Sequence, residues 1–162
     1  MFLRFLPFLL IVAFAGCVTA PAPVPPGYTG PLAKISDTFT PVSATKVQFF
    51  QVEKVDGRTV LSSSAATYQK NYGRGFAMEP ILESRDVPAQ TCVLSIAGTT
   101  HVAADILAFG GGMYHVEGEV KASLQAGQKY FVKGTLSKEY SAVWLEDSEG
   151  LLVSSKVEKT KR

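Results

Sequence analysis

Along the second half of the chain, hydrophobic and polar side chains alternate with a period of two. In GMYHVEGEVKASLQAGQKYFVKGTL, Tyr114, Val116, Val120, Ala122 and Leu124 fall on one side of an extended strand, and His115, Glu117, Glu119, Lys121, Ser123 and Gln125 fall on the other. That is a strand with one wet face. After Gln125-Ala126-Gly127-Gln128, whose residue types suit a turn, Tyr130, Val132 and Leu136 continue an apolar face, which predicts an antiparallel hairpin. Similar runs occupy residues 46–55, 92–97, 101–107, 142–147 and 151–157. Between them stand turn and breaker residues: Asp56-Gly57, Gly98, Gly110 to Gly112, Ser137-Lys138 and Glu149-Gly150. No long amphipathic helix is written into the pattern. Short strands with such punctuation predict an all-β domain of about seven or eight strands, an antiparallel β-sandwich or small barrel.

Two places depart from the period. Around Phe49 and Phe50 the apolar residues fall on both sides, so either both faces of that strand are buried or the strand carries a bulge. Residues 62–89 have no clean period beyond one expected helical turn between Ser64 and Asn71, and they contain the Gly- and aromatic-rich run Asn71-Tyr72-Gly73-Arg74-Gly75-Phe76. Long irregular segments in compact domains either cover a sheet edge or carry function, which makes Tyr72, Arg74 and Phe76 the candidate binding loop.

The first residues follow a different logic. One cation, Arg4, precedes an uncharged apolar run from Phe5 to Ala15. About 11 residues are too few to span a bilayer, which needs about 20, and fit the apolar region of a signal peptide. Phe14-Ala15-Gly16-Cys17 closes that run and resembles the lipobox of bacterial lipoprotein precursors, although Phe14 stands where the family prefers an aliphatic residue. Ala13-Phe14-Ala15 also suits ordinary secretory cleavage. The resemblance covers only the first 17 residues. It implies that residues 1–16 are a removed signal peptide, that Cys17 receives a lipid, and that the membrane is a partner through that lipid. At roughly 0.8 kcal/mol per buried methylene, two or three acyl chains make an effectively permanent anchor. In a Gram-negative cell, Val18-Thr19 after the cysteine, in place of Asp, implies the outer membrane, with the domain facing the periplasm. Residues 17–31 then form a lipidated, proline-rich tether, with Pro21, Pro23, Pro25, Pro26 and Pro31 favouring extended backbone. A dozen such residues at about 3.1 Å each span roughly 35 Å. Residues 32–162 are of a length for one domain with a real core.

Composition changes this picture little. The chain is 46% hydrophobic and 19% charged, with a net formal charge of +2 that falls by one when Arg4 leaves with the leader. That balance gives no electrostatic case for a nucleic-acid partner. The closing KVEKTKR reads as a frayed, solvated end.

Candidate chemistry is sparse. His101 and His115 are the only histidines, and neither neighbours a nucleophile turn of the G-x-S-x-G type. His101 and Asp105 lie four residues apart, about 13 Å on a strand, which is too far for one metal ion, so a surface histidine is expected. Ser43-Ala44-Thr45-Lys46 spells an S-x-x-K motif, but that motif works on a helix and here leads into a strand. Phe109-Gly110-Gly111-Gly112 lacks the Lys-Ser/Thr of a phosphate loop and reads as a flexible hairpin loop. No catalytic, metal or cofactor-binding residue is therefore assigned.

With Cys17 acylated, Cys92 is a lone thiol whose strand context favours burial over pairing with another chain. Trp144 reads as a core aromatic or as an exposed platform, and Tyr28 and Tyr72 as exposed. The run L-x-A-G-x-x-Y-x-V from Leu124 to Val132 is similar to a turn in immunoglobulin-like and transthyretin-like β-sandwich modules; it spans about ten residues and brings no functional residue with it. The expectation is a lipid-anchored cell-envelope lipoprotein whose β-domain binds an envelope protein or cell-wall partner, or supports structure, without catalysis. A small periplasmic enzyme built around residues 62–89, or a surface adhesin or assembly subunit, are the alternatives.

Overall fold

The computed structural model describes residues 22–75 and 78–160, Asp105 by its backbone alone; Cys17 with its lipobox, and Phe76, lie outside the described residues. Ten strands and one helix follow in the order β1 (Leu32–Ser36), β2 (Thr38–Ser43), β3 (Lys46–Val55), β4 (Arg58–Thr59), α1 (Ser63–Asn71), β5 (Ser84–Pro88), β6 (Thr91–Val102), β7 (His115–Ser123), β8 (Lys129–Leu136), β9 (Tyr140–Asp147) and β10 (Val157–Thr160). A 3-10 turn over Asp105–Gly110 separates β6 from β7. The strands form two sheets: one in the order β10-β9-β8-β1-β5, the other β2-β3-β6-β7 with β4 beside β3. All pairings are antiparallel except β1 with β8, where Ile35 lies opposite Tyr130. The domain is a β-sandwich. Its core is the meeting of the two inner faces, where Ile35, Val52, Leu94, Ile96, Val132 and Leu145 are all fully buried.

The strand count exceeds seven or eight because β1, β2, β4 and β5 are too short or too polar to show a period, and because Val157–Thr160 within the basic tail form a strand. Residues Val157 to Thr160 pair with Val143 to Tyr140 as an edge strand. Within residues 151–157 no full strand forms: Leu152 makes a single bridge to Glu146, and the Ser154 hydroxyl accepts the Leu145 amide at 3.0 Å.

The expected hairpin of β7 with β8 is not formed. Strand β7 pairs with β6, and β8 lies between β1 and β9 in the opposite sheet. The connecting turn therefore crosses the sandwich. Its polar groups are met by other strand ends, the Leu124 amide by the Gln90 carbonyl at 3.1 Å and the Gly127 amide by that of Leu32 at 2.8 Å. Alternation marks which face of a strand is buried and does not say which strand lies beside it. Nor does Gly98 break a strand. It lies inside β6, where an added Cβ would sit 3.2 Å from Leu136 and Val116 and 3.3 Å from Phe50, so glycine here answers to packing. The strand expected over residues 101–107 is accordingly the end of β6 followed by the 3-10 turn.

Both readings of Phe49 and Phe50 hold. Phe50 enters the core between the sheets, Phe49 is fully buried on the opposite face, and the β3–β6 register shifts between Val52 and Lys54. Helix α1 lies against that outer side of β3. Gln51, 1% exposed, accepts the Ser64 amide through Oε1 and donates Nε2 to the Ser64 hydroxyl, both at 2.9 Å.

The irregular stretch after α1 is held by side chains in place of a sheet ladder. Asn71 donates to the Thr67 and Glu79 carbonyls and accepts the Glu79 amide, while the Thr67 hydroxyl accepts the Ile81 amide at 2.8 Å. Beneath it, Asp37 and Arg85 form a buried bidentate pair at 2.7 and 2.8 Å. The described residues before β1 also touch the domain: Arg58 donates to the Pro23 carbonyl at 3.1 Å, and a turn closes from Pro25 to Tyr28.

Candidate functional site

At one end of the sandwich the chain enters along Pro31, Asp56 and Gln90; at the other lie Lys46, Val102 and His115. Strand β6 runs the full distance, and twelve residues at about 3.3 Å make that roughly 36 Å. At the far end a groove of about 420 Å³ opens between the end of α1, the end of β6 and the loop from the 3-10 turn to β7. That volume lies within the range of small-molecule sites. Its walls include Tyr68, Tyr72, Met78, His101, Ala108 and Met113, and most of the lining is apolar.

An aromatic relay runs from this groove into the protein. Tyr72, 77% exposed, meets Tyr68 edge-on at 5.8 Å between centroids, Tyr68 meets His101 at 6.4 Å, and His101 meets the buried Phe49 at 6.1 Å. Edge-to-face contacts of this kind fix ring orientation, and Phe49 anchors the series. Beyond the groove the surface stays apolar, with Ile106 67% and Phe109 91% exposed on the 3-10 turn. Gly111 and Gly112 follow with φ of 76° and 72°, a conformation that suits glycine, and Lys46 donates to the Gly111 carbonyl at 2.9 Å.

Of the candidate binding loop, Tyr72 lines the groove. Arg74 does not; its guanidinium is 3.5 Å from Glu79 in an exposed ion pair. The expectation of a plain surface histidine at position 101 is corrected, because α1 lies over β3 and brings Tyr68 onto the ring. Tyr68, Met78 and Met113 went unread for the same reason: they gather only when the segment after α1 and the β6–β7 connection meet, and they share no spacing. Among the described residues no group of three His, Cys, Asp or Glu side chains is placed to hold a metal ion, and no helix is long and apolar enough to cross a membrane.

A second cleft, of about 270 Å³, abuts the groove at Met113 and contains His115, Ser137, Lys138 and Lys159. None of its described lining residues is a carboxylate. His115 itself points Nε2 toward Glu117 at 3.3 Å.

Two other residues of interest lie elsewhere. Cys92 is buried, as its strand context predicts, and burial aided by the Asp56 carboxylate pushes its thiol up to about 11. Trp144 is half-buried on the outer face of its sheet, away from the core. Its indole N–H donates to Glu146 at 2.7 Å and the Lys156 ammonium stands 4.4 Å from the ring centre, so the surface is already covered.

Comparison with known proteins adds no further guide: no family model matches the chain, and neither does any curated protein or solved structure.

Proposed function

We propose that this chain is a lipid-anchored lipoprotein of the cell envelope whose sandwich domain binds a partner through the groove at Tyr68, Tyr72 and His101. The observation that carries the reading is the opposition of the two ends. Pro23 is held by Arg58 at the end where the chain enters, and the groove opens at the other, so an anchor at Cys17 leaves the groove facing away from its membrane. Six residue steps lead from Cys17 to Pro23, about 19 Å of extended chain, which is too little to bring the groove round to the same surface. A cell-wall or envelope partner then meets the apolar and aromatic side chains that line the groove.

The test of the anchor is the intact mass of membrane-extracted protein, native against Cys17→Ala. A chain that begins at Cys17 with added diacylglyceryl mass, absent from the variant, supports the reading. An unmodified chain beginning at Gly16 refutes the anchor and leaves a secreted domain.

One observation favours a second reading, a small periplasmic enzyme: His101 stands in the groove wall. Loss of an activity in His101→Ala with His115→Ala, in a chain that still folds, would move the assignment there.

A further inference from the structure

The groove and the cationic cleft are one composite site. They share Met113, the first is lined mostly by apolar and aromatic groups, and the second brings together Lys138 and Lys159, with His115 beside them turned toward Glu117 at 3.3 Å. Neither lysine forms an ion pair among the described residues. Lys138 and Lys159 come from different elements, the β8–β9 turn and the edge strand β10, and the pairing of Thr160 with Tyr140 brings them to one corner. On the other side of Met113, the methionine thioethers and the tyrosine rings offer an adaptable apolar wall.

We infer that this composite site takes an anionic amphiphile, a molecule with a phosphate or carboxylate head and a single apolar tail. The head lies between Lys138 and Lys159, where the Ser137 hydroxyl adds a further polar group, and the tail passes Met113 into the groove against Tyr68, Tyr72 and Met78. Charge complementarity selects the head, because two ammonium groups that form no ion pair among the described residues leave a positive potential that an anion neutralises. Burial of the tail supplies most of the affinity, since apolar surface removed from water contributes about 25 cal/mol per Å². The inference rests on the reading of the groove as the binding site and names its ligand class.

The chain carries a convenient reporter. Its three methionines are Met1, in the leader, and Met78 and Met113, one in the groove and the other at the junction. With methyl-labelled methionine, the full processed chain held in phosphatidylcholine nanodiscs is titrated with octyl phosphate, octanol or inorganic phosphate. Octyl phosphate is expected to move both the Met78 and Met113 signals, and inorganic phosphate Met113 alone. Lys138→Gln combined with Lys159→Gln is expected to weaken octyl phosphate about tenfold and to leave octanol unchanged. Unperturbed methionine shifts in the free double variant show that it is folded. If octanol moves Met78 and octyl phosphate binds no better, with no effect of the lysine changes, the anionic head is refuted while the groove stands as a binding site. If none of the three probes moves either signal, both the composite site and the groove as a small-molecule site are refuted.

Discussion

Asp37 and Arg85 form a doubly hydrogen-bonded ion pair inside the sandwich, with side-chain exposures of 0% and 7%. The pair is fully partnered. Asp37 also accepts the amides of Val52 and Ser63 and the Ser63 hydroxyl, and Arg85 donates to the Leu61 carbonyl at 3.1 Å. The Ser63 hydroxyl in turn accepts the Glu83 amide. One carboxylate thereby ties β3, the start of α1 and the strand that follows the irregular segment. Removing one partner strands the other charge in a low-dielectric interior, so Arg85→Met is expected to cost about 3–5 kcal/mol, read as a shift in the urea midpoint. Asp37→Leu with Arg85→Met is expected to cost less than the two single changes added together. Additive losses would show that the pair is not a unit.

That network also marks where the sequence stops being legible. Period-two alternation located β3, β6, β7, β8 and β9, because in each of them one face meets the core. Alternation is silent on pairing partners, which is why β7 and β8 read as a hairpin when they belong to opposite sheets. Asp37 and Arg85 lie 48 residues apart and look like ordinary surface charges in one dimension. The groove was half legible. Tyr72 stood out as an aromatic among glycines, whereas Tyr68, His101 and Met113 are joined only by the passage of α1 over β3 and by the loop after β6.

Gly134 is a second test of the packing. A Cβ there would overlap the Phe50 ring and stand 2.5 Å from the Ala142 carbonyl oxygen. Gly134→Ala must therefore displace a core aromatic or part β8 from β9. The expected cost is about 1–3 kcal/mol, measurable by thermal or urea unfolding. Phe50→Leu in the same chain should recover only part of that loss, because the carbonyl remains. Full recovery would place the whole clash on the ring.

For Cys92 the prediction concerns pH. Its folded pKa is raised to about 11 from an ordinary value near 9, so the folded state keeps a proton that the unfolded chain releases. The stability contributed is fully present below pH 9 and is lost as pH rises through 11, in total about 2–3 kcal/mol. Unfolding midpoints measured from pH 8 to 11 should fall in the native chain more steeply than in Cys92→Ala. In the same pH 8 buffer, iodoacetamide should label Cys92 slowly in the folded protein and readily in urea. Equal labelling in both would mean that the thiol is not enclosed.

The aromatic relay at the groove separates binding from stability along a single line of contacts. Tyr72 is at its exposed end and, among the described residues, makes one ring contact, with Tyr68, while Phe49 at the inner end is fully buried between Phe39 and His101. Truncation at the two ends should therefore act on different quantities. Tyr72→Ala is expected to change stability by no more than about 1 kcal/mol, since it forfeits an exposed edge-to-face pair. Phe49→Ala is expected to cost about 3–5 kcal/mol through the cavity it leaves. If the groove is the binding site, Tyr72→Ala should weaken ligand binding in a domain whose urea midpoint is almost unmoved. A large stability loss from Tyr72→Ala would instead assign the ring to the fold, as a cover over the end of α1.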